Sequence, residues 1–264
     1  MTSKDQPLHS LPRDNRLAGR TAIVTGSSSG LGEAIAHVLA VSGAHVLVHG
    51  RDESRAGGVA AAVEAAGGRA SVELGDLARS ADATRDFARR ATAALGGRVD
   101  ILVNNAGIFP VGPTDGLSDE AVEALLATNI RVPHGLVAAL APAMAERGSG
   151  AIVNITSWMG RVGTPFVGLY PATKAALEQL TRAWSAEYGS RGVRVNAVAP
   201  GVTATPGNSD PKVLAQLTAS TPAGVPGRPV DIAWAVRYLV SDEAAYVHGA
   251  SIDVDGGILA TRVA

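Results

Sequence analysis

The chain has 264 residues, a hydrophobic fraction of 46% and 23 Lys and Arg against 24 Asp and Glu, giving a formal net charge of −1. This balance gives no support for binding to nucleic acid or to an anionic membrane, because both favour a basic excess. Cysteine is absent, which excludes disulfides, thiol nucleophiles and cysteine-ligated metal and fits a reducing cytoplasm.

The first 16 residues are polar, include Pro7 and Pro12, and lack the apolar stretch of a signal peptide. We expect them to form a flexible N-terminal tail, followed by one domain over residues 17–264. No break in composition divides that domain, and its apolar content is ample for a core. Since no apolar run reaches transmembrane length, we also expect no membrane span.

Short β-rich runs alternate with longer segments of helical spacing along the domain. The predicted strands are 21–25, 45–49, 70–74, 101–104, 151–156, 193–198 and 251–254, and the predicted helices are 30–42, 52–66, 80–95, 118–146, 169–188 and 230–240. This alternation predicts an α/β fold with right-handed crossovers, in which helices cover both faces of a doubly wound, seven-stranded parallel sheet. Residues 203–229, rich in Pro, Gly and Thr, are predicted to form an irregular lid.

A glycine-rich turn, Thr25-Gly26-Ser27-Ser28-Ser29-Gly30-Leu31-Gly32, follows the first predicted strand and opens the first predicted helix. Glycine permits tight turns and close backbone approach, and a helix N-terminus offers free amides to a pyrophosphate. The spacing differs from the usual dinucleotide fingerprint, so a turn without a ligand is the alternative. Its place in the βαβ series favours a phosphate cradle. The candidate cofactor contacts here are Gly26, Ser28, Ser29, Gly30, Leu31 and Gly32.

The second predicted strand ends at His49-Gly50-Arg51, where NAD-selective sheets usually carry an acidic side chain. A guanidinium suits a 2′-phosphate instead. We therefore predict that Arg51 confers a preference for NADP(H), with NAD(H) as the alternative cofactor. The other interpretation makes Arg51 a solvated residue paired with Asp52 or Glu53.

Polar and small residues also follow the third and fourth predicted strands. Asp76 follows the third strand and can accept a hydrogen bond from an adenine amine; an ordinary strand-end turn is the alternative. The run Asn104-Asn105-Ala106-Gly107 can satisfy exposed backbone groups, so its role is either architectural or cofactor-facing. The candidate cofactor contacts here are Asp76, Leu77, Asn104, Ala106 and Gly107.

Tyr170 and Lys174 lie four residues apart and so share one face of a predicted helix, and Ser157 follows the fifth predicted strand. A cation beside a phenol favours the phenolate, so we expect Lys174 to lower the pKa of Tyr170. These residues predict hydride transfer between a nicotinamide and a carbonyl or secondary alcohol. Tyr170 would act as acid or base, Lys174 would also hold the nicotinamide ribose, and Ser157 would stabilise the developing alkoxide.

Two further features bear on this site. Asn129 is a polar residue within a predicted helix rich in Ala and Leu, where it either seats a water that relays the proton or kinks the helix. Pro171 is tolerated only in the first turn of a helix, so the helix of Tyr170 should begin at or just before that residue. The six histidines are scattered, and we expect no catalytic metal.

Taken together, these motifs resemble the short-chain dehydrogenase/reductase family. The TGxxxGxG turn from Thr25, the NNAG run from Asn104, the YxxxK pair from Tyr170 and the later Pro200-Gly201 turn occur in the order and spacing of that family, from about residue 17 to residue 260. The run Val254-Asp255-Gly256-Gly257 resembles the branch that includes β-ketoacyl-carrier-protein reductases.

This resemblance implies a one-domain Rossmann fold and a homotetramer or homodimer. It also implies a catalytic tetrad and contacts to the nicotinamide half of the cofactor. The tetrad is Asn129, Ser157, Tyr170 and Lys174, and the contacts are Tyr170, Lys174, Pro200, Gly201, Thr203 and Thr205.

The substrate is expected to be a neutral, moderately hydrophobic small molecule, because the predicted pocket is mostly apolar. Its predicted lining is Phe109, Trp158, Gly160, Phe166 and residues 203–229. Arg161 leaves open an anchor for a carboxylate or phosphate. We favour an alcohol dehydrogenase or ketoreductase; a lyase, isomerase or epimerase and a non-catalytic dinucleotide sensor are the alternatives.

Overall fold

The computed structural model describes residues 7–165 and 167–260 and contains a seven-stranded parallel sheet between two layers of helices. The strands are β1 (Thr21–Val24), β2 (His45–Gly50), β3 (Arg69–Leu74), β4 (Ile101–Asn104), β5 (Gly150–Ile155), β6 (Val193–Pro200) and β7 (Ser251–Val254). The helices are α1 (Gly30–Val41), α2 (Glu53–Ala65), α3 (Ala81–Ala94), α4 (Asp119–Leu126), α5 (Val132–Glu146), α6 (Leu169–Tyr188), α7 (Pro211–Thr218) and α8 (Pro229–Val240). The predicted doubly wound parallel sheet is confirmed.

The strand order is β3-β2-β1-β4-β5-β6-β7, so the order reverses between β1 and β4. At such a switch point the connections leave towards opposite faces, and a crevice opens at the carboxyl ends of the strands. The central strands are apolar without alternation because both of their faces are covered. All six residues of β5 are buried, for example.

Two hydrophobic cores lie on opposite faces of the sheet. One contains residues of α1, α2 and α8, among them Ile35 and Val236. The other contains residues of α3, α5 and α6, among them Phe87, Leu136 and Trp184. Both cores include residues of the strands whose carboxyl ends form the crevice, among them Val24 in one and Leu102 in the other.

The predicted helix over 118–146 is divided into α4 and α5 by a π-helical segment, Ala127–Arg131. Such segments insert an extra residue into the helical hydrogen-bond pattern and often occur at functional sites. Asn129 lies in this segment and is buried. Ser118 caps α4 by accepting a hydrogen bond from the Ala121 amide at 3.3 Å.

The helical segment Asp119–Glu146 is long and apolar enough, by length and mean hydropathy alone, to cross a membrane once. No segment of this kind was expected from the sequence. The same composition is typical of a core helix. Leu136, Val137 and Met144 are buried in the core beside α3, and 44% of the most apolar 18-residue window is buried. The packing of this segment therefore accounts for its composition.

The segment before β1 packs against the domain, so the expectation of a loose tail is wrong for residues 7–16. Leu11 is buried, the Asp14 amide donates to the Val41 carbonyl, and the Arg13 guanidinium donates to the Gly67 carbonyl at 2.7 Å. Residues 1–6 of the predicted tail lie outside the described residues.

The predicted irregular lid over 203–229 contains the helix α7. Asp210 caps this helix by accepting from the Lys212 amide at 2.9 Å, and Pro211 occupies its first position. The base of the segment is closed where the Ala204 amide donates to the Gly227 carbonyl and the Gly227 amide donates to the Val202 carbonyl. The lid is therefore partly ordered by its own secondary structure.

We expect Gly58→Ala to stabilise the protein. Gly58 lies inside α2 with an ordinary helical backbone, and a β-carbon there would meet no atom within 4 Å. The substitution removes backbone freedom from the unfolded chain, so the free energy of unfolding should rise by about 0.5–1 kcal/mol in denaturant titrations.

Gly67→Ala, just beyond the same helix, is the matched control and should destabilise the protein. Gly67 has a φ of +78°, and a β-carbon there would overlap the Arg13 guanidinium. A Gly58→Ala variant that is less stable than the parent would contradict the assignment of an open helical position.

Candidate active site

The glycine-rich turn begins where β1 ends and leads directly into α1. Gly26 has a φ of +63°, and a β-carbon there would lie 3.0 Å from the Ala106 Cα, so only glycine fits without a shift. A β-carbon on Gly32 would overlap the Gly26 carbonyl oxygen. Gly26 is therefore required at the surface of the crevice, whereas Gly32 is required for packing beneath it.

Two adjoining cavities occupy the crevice, with volumes of about 490 and 380 Å³. Asn105, Gly107 and Ile108 line both, so the two form one continuous site. Of the predicted residues, the larger cavity is lined by Gly26, Ser28, Ser29, Arg51, Asp76, Leu77, Ala106 and Gly107. The smaller is lined by Leu31, Gly107, Ser157, Tyr170, Lys174, Pro200, Gly201, Thr203 and Thr205.

Four of the predicted residues line neither cavity: Gly30, Gly32, Asn104 and Asn129. A β-carbon on Gly30 would lie 3.7 Å from the Thr205 Cβ, so the lid crosses the turn at this point. Gly30 and Gly32 thus shape the crevice through the backbone that they allow.

Asn104 is buried, and its side-chain amide donates to the Asn154 side-chain oxygen at 2.8 Å, between β4 and β5. This arrangement favours the architectural alternative for the Asn104 side chain. Asn105 lines both cavities and donates to the carbonyls of Thr25 and Gly26 at 2.8 and 3.2 Å. One residue past the strand end, the chain leaves the sheet and turns this second asparagine towards the crevice.

Three residues that lie in these motifs but were not among the predicted contacts also belong to the site: Thr25, Asn105 and His49. The Thr25 hydroxyl accepts from the amides of Asn105 and Ala106, both at 3.0 Å, and so joins the glycine turn to the loop after β4. His49 is buried in the wall of the larger cavity. Their position at strand ends beside recognised motifs was the available sequence signal.

Ser157, Tyr170 and Lys174 meet in the smaller cavity. The Ser157 side chain lies close enough to the Tyr170 hydroxyl to affect its pKa. The Lys174 Nζ lies 5.6 Å from the centroid of the Tyr170 ring and donates to the Ile155 carbonyl at 2.9 Å. Helix α6 begins at Leu169, which places Pro171 in the first turn, as expected.

The pKa of Tyr170 is shifted in the direction opposite to the one that the sequence predicts. Burial raises the pKa of the Tyr170 hydroxyl above its ordinary value, and the hydrogen bond from Ser157 acts in the opposite direction. Burial also lowers the pKa of Lys174 to about 8. Because the ammonium donates to Ile155 and burial dominates, the expected lowering of the Tyr170 pKa by Lys174 is wrong for this structure. The raised pKa keeps the phenol protonated at neutral pH.

Asn129 makes its hydrogen bonds to protein groups. Its side chain accepts from the Ile108 amide at 3.0 Å and donates to the Ile108 carbonyl and the Thr173 hydroxyl, both at 3.1 Å. It thereby connects the π-helical segment to the loop after β4 and to α6. This arrangement favours the helix-kinking alternative, in which Asn129 supports the wall that Gly107 and Ile108 form.

The substrate side of the site is apolar where it is described. Phe109 is 48% exposed and packs edge-on against the Tyr170 ring, with centroids 4.5 Å apart. Arg161 pairs with Glu178 and Asp253 at 2.9 and 2.7 Å, which contradicts its suggested role as a substrate anchor. Trp158 and Gly160 line neither cavity, and Phe166 lies outside the described residues. No group of three metal-ligating side chains lies within residues 7–165 and 167–260.

The fold and the site together define a dinucleotide-binding α/β oxidoreductase, and comparison with known proteins identifies the family. A protein-family model described as enoyl-(acyl carrier protein) reductase matches residues 26–259 of this chain. The 2,5-dichloro-2,5-cyclohexadiene-1,4-diol dehydrogenase of Sphingobium indicum is 39% identical over 245 residues, which are 92% of this chain and 97% of that protein.

Solved structures give the same result. A short-chain dehydrogenase/reductase family protein is 43% identical, with a TM-score of 0.84 over 93% of this chain and 100% of that one. A provisionally named NAD(P)-dependent gluconate 5-dehydrogenase from Beutenbergia cavernae, with NADP bound at low occupancy, is 42% identical, with a TM-score of 0.86 over 93% and 98% of the two chains. The chain belongs to the short-chain dehydrogenase/reductase family and is an NAD(P)-dependent enzyme of that family.

Proposed function

We propose that this enzyme transfers hydride between NADP(H) and a carbonyl or secondary alcohol, with Tyr170 as the acid or base. The observation that carries the proposal is the convergence of Tyr170, Ser157 and Lys174 in a cavity continuous with the glycine turn. A bound nicotinamide would supply or accept the hydride. The protein would supply the proton and the binding of the substrate oxygen.

The proton is assigned to the Tyr170 hydroxyl. Because burial keeps this phenol protonated, it can donate to the oxygen of a carbonyl as negative charge develops there. The Ser157 side-chain oxygen accepts from the Met159 amide at 3.2 Å, which holds the serine beside Tyr170. With a substrate bound, the Ser157 hydroxyl would turn its proton from Tyr170 to the same substrate oxygen. These two donors favour the reductive direction.

Lys174 would hold the nicotinamide ribose through its ammonium group, which is buried beside Gly107. The ring of Phe109 closes the other side of Tyr170, so the substrate face is apolar. We therefore propose a neutral, moderately hydrophobic carbonyl or alcohol as the substrate class.

The preference for NADP(H) is supported by the end of β2. A β-carbon on Gly50 would lie 2.6 Å from the Ser28 hydroxyl, so an acidic side chain cannot occupy that position without displacing the turn. The larger cavity is lined by three arginines: Arg51, Arg55 and Arg79. Among the described residues that line it, Asp76 carries the single carboxylate. This charge arrangement suits a 2′-phosphate.

We expect Arg51→Ala to reduce the preference for NADPH over NADH by roughly tenfold to a hundredfold, since one charge-assisted contact to the 2′-phosphate is lost. Dissociation constants for the two nucleotides, measured by fluorescence titration, give the ratio without a known substrate. Affinity for NADH should stay within about twofold of the parent.

Arg69→Ala provides the matched control for this titration, because Arg69 opens β3 at the far end of the strand. The control should leave the ratio unchanged. An unaltered ratio in Arg51→Ala would overturn the role assigned to that guanidinium.

The function itself is tested by absorbance at 340 nm. Ketones, acyl thioesters and sugar alcohols are screened with NADPH or NADP⁺, and then with NADH or NAD⁺. Consumption of NADPH with an apolar ketone is the expected result. Thermal stabilisation by the nucleotide without turnover of any compound would instead favour a non-catalytic sensor.

Assembly as a homotetramer or homodimer and a cytoplasmic location are further parts of the proposal. They rest on the family resemblance and on the cysteine-free composition. Light scattering coupled to size-exclusion chromatography measures the assembly directly.

A further inference from the structure

His49 is a buried titratable residue that the proposed hydride transfer does not use. It is the fifth residue of β2, its side chain is 5% exposed, and it lies in the wall of the larger cavity. The ring packs edge-on against Phe87 of α3, with centroids 4.7 Å apart. The ring is therefore held in one position beside the proposed nucleotide site.

Two hydrogen bonds fix the protonation state of the His49 ring. The Gly26 amide donates to Nδ1 at 3.0 Å, and Nε2 lies 3.0 Å from the Gly75 carbonyl oxygen. An amide N–H can only donate and a carbonyl can only accept, so Nδ1 must be bare and Nε2 must carry the proton. Only the neutral ring with its proton on Nε2 satisfies both contacts.

The same residue holds the turn through its backbone. The His49 amide donates to the Ser27 hydroxyl at 2.9 Å, and the Ser27 amide donates to the His49 carbonyl at 2.8 Å. Through Gly75 the ring also holds the loop that carries Asp76. His49 therefore joins the phosphate-binding turn to the opposite wall of the larger cavity.

Several charged groups face this ring, and they come from different elements. Arg51 after β2, Arg55 of α2, and Asp76 and Arg79 after β3 line the same cavity as His49. Glu73 within β3 is the register partner of His49 and is ion-paired with Arg90. Phe87 is the contact from α3 and carries no charge. The glycine turn contributes neutral groups only, Gly26 and Ser27.

Burial lowers the pKa of His49, and Arg51 lowers it further, while the Gly75 carbonyl and Asp76 act in the opposite direction. The lowered pKa agrees with the geometric requirement for a neutral ring. A proton added to Nδ1 would place an N–H group opposite the Gly26 N–H and break that hydrogen bond.

We propose that His49 is a positioning residue for the nucleotide: the neutral ring fixes the glycine turn against the end of β3, and protonation of the ring weakens nucleotide binding. The inference rests on the proposed nucleotide site but is independent of Tyr170. It assigns to an otherwise unused histidine the control of cofactor affinity in acidic solution.

The test compares His49→Phe with His49→Asn by isothermal titration with NAD⁺. NAD⁺ lacks the 2′-phosphate, whose own titration near pH 6 would obscure the result. His49→Phe keeps the ring beside Phe87 and loses both hydrogen bonds, so binding at pH 7.5 should weaken about tenfold. His49→Asn supplies an oxygen near the position of Nδ1 and should recover part of that loss.

The pH profile separates positioning from a purely structural role. Parent affinity for NAD⁺ should fall as the pH drops through the His49 pKa, which burial places below the ordinary histidine value, and His49→Phe should lose this dependence. His45→Phe is the matched control, because His45 begins the same strand and bonds to Ser71 instead. It should retain both the parent affinity and the parent profile.

A nuclear magnetic resonance titration of the His49 ring decides the matter even if His49→Phe fails to fold. Linkage requires bound NAD⁺ to lower the pKa of His49 by the base-10 logarithm of the factor by which protonation weakens binding. An unchanged His49 pKa, or parent-like binding by His49→Phe, would overturn the proposal. Failure of the parent chain to bind any nicotinamide dinucleotide would overturn the proposed function itself. The results with the His49 variants bear only on the role of His49.

Discussion

Tyr170→Phe should lose turnover by about 10²–10⁴-fold while binding NADPH as the parent does, because only the proton donor is removed. The ring contact with Phe109 is retained by phenylalanine, so the packing of α6 on the site is preserved. The Ser157 side chain also keeps its hydrogen bond from the Met159 amide. The measurement is kcat at saturating NADPH, with the NADPH dissociation constant determined separately.

Tyr188→Phe tests whether any tyrosine of this helix would give the same result. Tyr188 ends α6, is buried, and lies under the Arg191 guanidinium, whose central carbon is 4.9 Å from the ring centroid. Its substitution should leave kcat within about twofold of the parent. A Tyr170→Phe enzyme with kcat within tenfold of the parent would rule out the assigned acid.

The sequence was sufficient for the fold and for most of the site because both depend on periodicity and strand ends. Apolar runs such as residues 101–103 mark buried parallel strands, and parallel strands bring their carboxyl ends to one edge. Ser157 and the glycine turn were therefore placed at the same crevice from spacing alone. The family motifs then distinguished this crevice from a generic nucleotide site.

The sequence predictions that differ from the structure have another physical origin. They depend on the direction of individual side chains and on their solvation. Asn104 and Asn105 differ by one position, and the point at which β4 ends decides which of them faces the crevice. The lowered pKa expected for Tyr170 was outweighed by burial, which no spacing encodes. His49 became interpretable only when the register of β2 and β3 placed Gly75 beside its ring.

We expect Lys174 to lower the stability of the folded chain more than any other residue of the site, because its proposed role requires a buried ammonium group. Its side chain is 4% exposed, and burial lowers its pKa to about 8 from an ordinary value near 10.5. Holding the ammonium in this environment costs about 3 kcal/mol at pH 7 on that shift, less about 1 kcal/mol from the hydrogen bond to the Ile155 carbonyl. Lys174→Met, of similar length and uncharged, should therefore raise the free energy of unfolding by about 2 kcal/mol and abolish turnover.

The pH dependence gives an independent check on the same residue. Because the pKa of Lys174 is lower in the folded chain, the unfolded chain binds more protons between about pH 8 and pH 10.5, and the contribution of Lys174 to stability rises with pH across that window. Lys174→Met should lack this rise, whereas Lys212→Met, at an exposed position on α7, should keep it. Denaturant titrations at pH 7 and pH 10 measure both effects. A Lys174→Met variant that is less stable than the parent at pH 7, or that keeps the rise in stability with pH, would refute this prediction. Either result would mean that the buried ammonium does not destabilise the folded chain.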